Sequence, residues 1–195
     1  NTKIIPSAVD TDVFKPLPAE KNTFTLGWIG SKSNFPYLEL IRQPVLEFLQ
    51  KTKNTKLIIV SSEQPEVFKF DNERIVFKQW CAEKENQLIN EFSAGLMPLP
   101  DNNWSKGKCS YKMLQYMACG IPAIVSPAGL NKIILEKSQS GRGASDEAEW
   151  LTIFHELNND RAAYTVCAEN GRPFIEENYS LKKWAPVINE YFKKL

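Results

Sequence analysis

Short apolar runs alternate with longer amphipathic stretches along this chain. Residues 24–29 (FTLGWI) read as a strand that ends in a Ser/Lys/Asn-rich loop. Residues 37–51 place Leu38, Ile41, Val45 and Leu49 on one helical face, and Pro44 is expected to kink or divide that segment. Residues 56–60 (KLIIV) form a β-branched run of the kind buried on both faces of a parallel sheet. Residues 74–77 give another short strand, Leu88, Ile89 and Phe92 mark a helix, and residues 94–99 read as a strand stopped by prolines. A polar loop at 101–109 precedes a helix at 110–119, which Gly120-Ile121-Pro122 ends before a strand at 123–125. Asp146, with Glu149 three residues on, starts a helix over 148–157, and Asp160 caps the next, through about Glu176. Leu181, Trp184, Ile188, Tyr191 and Leu195 form a final stripe.

Strands alternating with helices imply an α/β domain: Rossmann-like, three layers, α/β/α, around a mostly parallel sheet. The expected division is an extended entry segment at 1–20, the domain body at 21–180, and a C-terminal helix at 181–195.

Composition narrows the function. The chain has 195 residues, 24 Lys plus Arg against 23 Asp plus Glu, and a net charge of +1, so nothing draws it as a whole to nucleic acid. No apolar run approaches the roughly 20 residues of a membrane helix. The start at Asn1, without Met or a signal peptide, reads as a domain cut from a longer protein. Cys81, Cys109, Cys119 and Cys167 form no CxxC pair, and the single histidine, His155, lies far from them, so no metal site is expected and the thiols read as reduced. One histidine also argues against a hydrolase triad.

Two strand-to-helix junctions carry candidate chemistry, because ligands in such sheets bind at the carboxyl ends of strands. At the first, Gly30 permits close backbone approach while Ser31, Lys32 and Ser33 supply donors suited to a phosphate; the same stretch also reads as an ordinary surface turn. Neither this loop nor Gly107-Lys108-Cys109 satisfies the P-loop pattern, and there is no GxGxxG. At the second, Lys106, Lys108 and Lys112 surround the start of the 110–119 helix, where free N–H groups and the helix dipole favour an anion. Lys112 and Gln115 are three apart and can reach one ligand. Between residues 101 and 132 there are four Lys and one Asp, a local +3 consistent with a pyrophosphate ligand or with a solvated lysine face.

Residues 108–127, KCSYKMLQYMACGIPAIVSP, resemble the donor-site signature of family 4 (group 1) glycosyltransferases of the GT-B fold. The flanks are similar too: IPSAVDTDVFKP at 5–16 to the entry into the family's second domain, LGWIG at 26–30 to its first strand and loop, and SPAGLN at 126–131 to the segment after the next strand. The resemblance implies the C-terminal, nucleotide-sugar-binding half of a retaining enzyme acting in surface polysaccharide or glycan synthesis, cytoplasmic or peripheral to the cytoplasmic membrane. It implies an acceptor-binding domain before Asn1, bringing a glycan or lipid-linked acceptor, with the C-terminal helix crossing back toward it, and no metal or other cofactor.

Carried over residue by residue, it implies diphosphate contacts from Gly30, Ser31, Lys32, Lys108, Ser110, Tyr111 and Lys112. Gln115 stands where the family's ribose-binding Glu would be, losing the charge-assisted acceptor. Gly107, eight residues earlier, stands at the donor-sugar Glu, which leaves the sugar undefined. Trp80 reads as a flank of the base or as a core tryptophan. No nucleophile is nominated; Glu91, Glu136, Glu147 and His155 read as surface or structural groups. Two rivals remain: a non-catalytic nucleotide-binding or interaction domain, and a GT-B nucleotide-sugar epimerase, which needs carboxylates and a histidine around the sugar.

Overall fold

The computed structural model describes residues 4–18, 22–68 and 73–194. Parts of the expected entry segment (1–3, 19 and 20), residue 21 and Leu195 of the terminal stripe lie outside them. Six strands form one parallel sheet: β1 (Phe24–Ile29), β2 (Thr55–Ser61), β3 (Ile75–Gln79), β4 (Ala94–Met97), β5 (Ala123–Val125) and β6 (Gly141–Gly143). Their order is β3-β2-β1-β4-β5-β6, the doubly wound Rossmann-like arrangement in which the chain reverses direction across the sheet between β1 and β4.

Alternation along the strands feeds two cores. Leu26, Trp28, Leu57, Ile59, Leu96 and Ile124 face helices α1 (Phe35–Glu39), α2 (Arg42–Lys51) and α7 (Glu147–Asn159). Ile58, Val60, Met97, Ala123 and Val125 face the other layer, built on α3 (Glu85–Asn90), α5 (Tyr111–Ala118) and α6 (Leu130–Ser138). On that second face two glycines make room for rings. A Cβ at Gly27 would collide with Phe92 and one at Gly95 with Tyr116, so both aromatics lie directly on the central strands.

The predicted 37–51 helix is two helices, broken at Leu40 and Ile41. The break falls where Pro44 demands it: in a continuous helix its ring would meet the carbonyl of Leu40, four residues back, whereas in the first turn of α2 its missing N–H has no intrahelical duty. The 101–109 loop contains a turn of helix, α4 (Asn103–Lys106), capped by the Asn102 side chain accepting from Ser105 N at 2.9 Å. Asp146 and Asp160 cap α7 and α8 (Arg161–Asn178) as their spacing predicts, at 2.9 and 3.0 Å.

The entry segment is extended and packs on the body. Val9 is fully buried and bridges to Ser180, and Arg172 donates to the carbonyls of Thr11, Phe14 and Ala118 at 2.8–3.0 Å. The terminal helix α9 (Leu181–Phe192) buries none of its side chains, and Leu181 and Phe192 are 43% and 66% exposed. Among the described residues no helix is long and apolar enough to cross a membrane.

Candidate functional site

The strand ladder opens between β1 and β4. These strands pair only at Leu26–Ala94 and Gly27–Gly95, although both run further. Beyond that point the Tyr116 hydroxyl fills the gap, accepting from Ile29 N at 3.3 Å and donating to the Leu96 carbonyl at 3.2 Å. Burial pushes the acidity of this hydroxyl far out of reach of physiological pH, so it serves as a fixed bridge. The bridge seats α5 in the crevice at the topological switch point, where ligands of doubly wound sheets bind.

A cavity of about 450 Å³ opens beside the first turn of α5. Ile29, Gly30 and Ser31 line it from the end of β1, Ser62 from the end of β2, Trp80 and Glu85 from the segment after β3, and Tyr111, Lys112 and Gln115 from α5. Four crossover connections therefore converge on one volume. The N–H groups of Tyr111 and Lys112, in the first turn of α5, have no carbonyl four residues back to serve, and the helix dipole adds partial positive charge.

Lys112 is the central cation. Its ammonium lies 5.6 Å from the centroid of the Trp28 ring, and its stem passes so near Gly30 that a Cβ there would come within 2.9 Å of its Cε. Among the described residues it has no acidic partner. Burial first, and Lys108 second, lower its pKa to about 8, with Cys109 opposing. An unpaired, half-desolvated ammonium at a helix N-terminus has a strong deficit of negative charge.

Ser110, the residue before α5, is buried and adopts the left-handed conformation (φ 57°), where a side chain is strained. A glycine-dependent contact and two ring contacts fix the preceding turn. Gly129 (φ 55°) packs so closely on the Lys106 backbone that a Cβ there would overlap it. Lys108 lies with its ammonium 5.0 Å from the Tyr37 ring centroid and 6.0 Å from that of Trp104.

The structure gathers Gly30, Ser31, Trp80, Tyr111, Lys112 and Gln115 around the cavity, with Ser110 at its helix entrance. Trp80 is 41% exposed on the wall, so the core-tryptophan alternative is set aside. Lys32 is not among the residues that line this cavity. Its ammonium pairs with Glu63 at 2.7 Å on an exposed surface away from the cavity, because the 3-10 turn after Ser31 turns its side chain outward. Lys106 likewise pairs with Asp101, at 3.0 Å. Gly107 ends α4 and does not line the cavity, and a Cβ there would meet nothing closer than 3.5 Å.

Sequence reading missed Glu85. Its carboxylate accepts from Gln115 Nε2 at 3.1 Å, across the junction of α3 and α5. The only sequence signal was an acidic residue at a helix start beyond a strand. The groups read as structural are so placed: Glu91 pairs with Lys78 at 2.6 Å, and His155 packs edge-on against Phe48 at 5.1 Å. No cluster of three or more His, Cys, Asp or Glu side chains with metal-binding geometry exists among the described residues.

A family model described as "Glycosyl transferases group 1" matches residues 23–159. No curated protein matches the sequence. Among solved structures, the C-terminal domain of a group 1 glycosyl transferase, LpcC from Francisella tularensis, superposes with a TM-score of 0.73 at 15% identity, covering 89% of this chain and 99% of that one. Anabaena HepE in complex with UDP and glucose gives a TM-score of 0.80 at 15% identity, over 99% of this chain and 57% of that one. Sucrose-phosphate synthase from Thermosynechococcus elongatus gives 0.75 at 14%, over 98% and 52%. At such identities the likeness establishes the fold, that of GT-B glycosyltransferase domains, and the chain spans about half the length of the latter two proteins.

Proposed function

This chain belongs to the group 1 glycosyl transferases, and on that premise we propose that it is the donor-binding domain of a retaining, family 4 enzyme that transfers a sugar from a nucleoside-diphosphate sugar to an acceptor. The observation that carries the reading is Lys112. An ammonium without an acidic partner among the described residues stands at the N-terminus of α5, inside a cavity formed at the switch point of the sheet. A diphosphate placed there meets the first-turn N–H groups of Tyr111 and Lys112, the Lys112 charge, and the backbone of Gly30 and Ser31. Trp80 offers a flat face for the base on the opposite wall.

The same groups act in the reaction. As the bond from the sugar to the diphosphate breaks, charge accumulates on the leaving phosphate, and preorganised donors in a partly desolvated site stabilise it. Lys112, the α5 dipole and Lys108 provide that stabilisation without a metal ion. Retention of anomeric configuration and a role in surface polysaccharide or glycan assembly, in the cytoplasm or at the cytoplasmic membrane, are supported by the motif resemblance. The acceptor, a glycan or a lipid-linked sugar, is then held by a preceding domain, which the exposed apolar side of α9 helps to meet.

A non-catalytic nucleotide-binding domain is the second reading, favoured by Gly107, which leaves the donor-sugar position without a carboxylate. Release of nucleoside diphosphate from a nucleotide sugar by the two-domain protein separates the two. Turnover that Lys112→Ala reduces by at least about a hundredfold, the effect of removing one preorganised donor to a developing anion, supports the enzyme. Undiminished turnover in that variant contradicts the phosphate assignment.

A further inference from the structure

The cavity holds one group that a diphosphate does not explain. Glu85 places a carboxylate on its wall, and a carboxylate repels phosphate. The residue is half-buried at the start of α3, and Gln115, only 3% exposed, donates to its Oε1 from α5 at 3.1 Å. The buried amide thus holds one carboxylate oxygen, while the second oxygen has no partner among the described residues. Glu85 also contributes to the upward shift of the Tyr111 and Tyr116 hydroxyls, so its charge is felt along α5. Within one cavity the cation, Lys112, and the anion, Glu85, therefore sit on different walls, with Trp80 on the α3 side.

A nucleoside diphosphate has complementary ends. Its phosphates need donors, whereas the ribose presents two adjacent hydroxyls that need acceptors. We propose that Glu85, oriented by Gln115, accepts hydrogen bonds from the ribose diol of the bound nucleotide, so that this site selects ribonucleotides over 2′-deoxyribonucleotides. The inference rests on the donor-site reading above and adds a specificity residue carried on α3. Gln115 is then a positioning residue: its amide cannot supply the charge-assisted acceptor and instead aims the carboxylate that does. Hydrogen bonds to an ionised carboxylate are about twice as strong as neutral ones, so the position of the charge decides the selectivity.

The test is calorimetric titration of this chain with UDP, GDP and ADP and with their 2′-deoxy counterparts, on the wild type and on Glu85→Gln. The wild type is expected to bind its preferred ribonucleotide at least about tenfold more tightly than the 2′-deoxy form, as a site built to pair a hydroxyl does. In Glu85→Gln the ratio should fall to within about twofold, because the ribonucleotide loses more affinity than the deoxy form, which has only the 3′-hydroxyl to pair. Retained binding of the deoxy form also reports an intact fold, and the wild-type ratio tests the proposal without any variant. A wild type that binds both forms alike overturns the proposal and leaves the donor site standing. So does a variant that retains the ratio, or one that weakens both forms equally, which would mark Glu85 as structural. No binding of any ribonucleotide overturns the donor-site reading, and this inference with it.

Discussion

Lys112 links the physics of a single side chain to the behaviour of the site. Its pKa of about 8 in the folded chain lies below the ordinary lysine value of 10.5, so the folded state holds this proton less tightly than the unfolded one. Between those two values the unfolded chain binds more protons, and this residue's contribution to stability therefore rises with pH. Binding runs the other way. A diphosphate beside the ammonium favours the charged form, so complex formation takes up a proton once the free lysine begins to lose its own. Affinity for nucleoside diphosphate is expected to fall as pH rises past about 8, with proton uptake measurable by calorimetry in buffers of different ionisation enthalpy, and Lys112→Ala should abolish that dependence. Residue types at this helix start were legible from sequence, because lysines at a candidate helix N-terminus have a direct electrostatic meaning. The side chain of Lys32 was not: Glu63, which captures it, lies 31 positions away, on a different loop.

At the scale of elements, strands with a strong apolar pattern were readable and those without one were not. β2 reads as LIIV and is buried; β6 is Gly-Arg-Gly, an edge strand whose only signal is pairing with β5. The short helix α4 is equally silent, since a single turn fixed by the Asn102 cap has no periodicity to detect. Pro44 was legible as a divider of its segment, and the division falls one turn before it because a continuous helix would press its ring on the Leu40 carbonyl. The junction of β1, β4 and α5 depends on Tyr116, which replaces a missing rung of the ladder. Tyr116→Phe leaves a buried N–H of Ile29 and carbonyl of Leu96 without this partner, and is expected to destabilise the fold by about 1–3 kcal/mol. Urea unfolding should show a lower midpoint with an unchanged slope; an unchanged midpoint would mean that the hydroxyl does not hold the strands.

The molecule as a whole was legible in its order. Alternating strands and helices specified a parallel sheet, and a sheet of that kind places its ligand site at the carboxyl ends of its strands, where the cavity lies. What sequence could not supply was the meeting of distant segments. Trp80, Glu85 and Gln115 come together because the segment after β3 and helix α5 line the same cavity at the carboxyl ends of the strands. A glutamate 30 residues from its partner carries no mark of that encounter. The entry segment shows the same limit, reading as a linker because its prolines forbid regular structure, yet anchored by Arg172 from the far end of the chain. On the donor-site proposal, this assembly binds a nucleoside diphosphate through Lys112. Titrating the chain with UDP, GDP and ADP at low salt tests it most directly, with Lys112→Ala alongside. One nucleotide is expected to bind, and the substitution to weaken that binding at least about tenfold, the effect of losing a charge-assisted contact. Binding that the substitution leaves unchanged would contradict it.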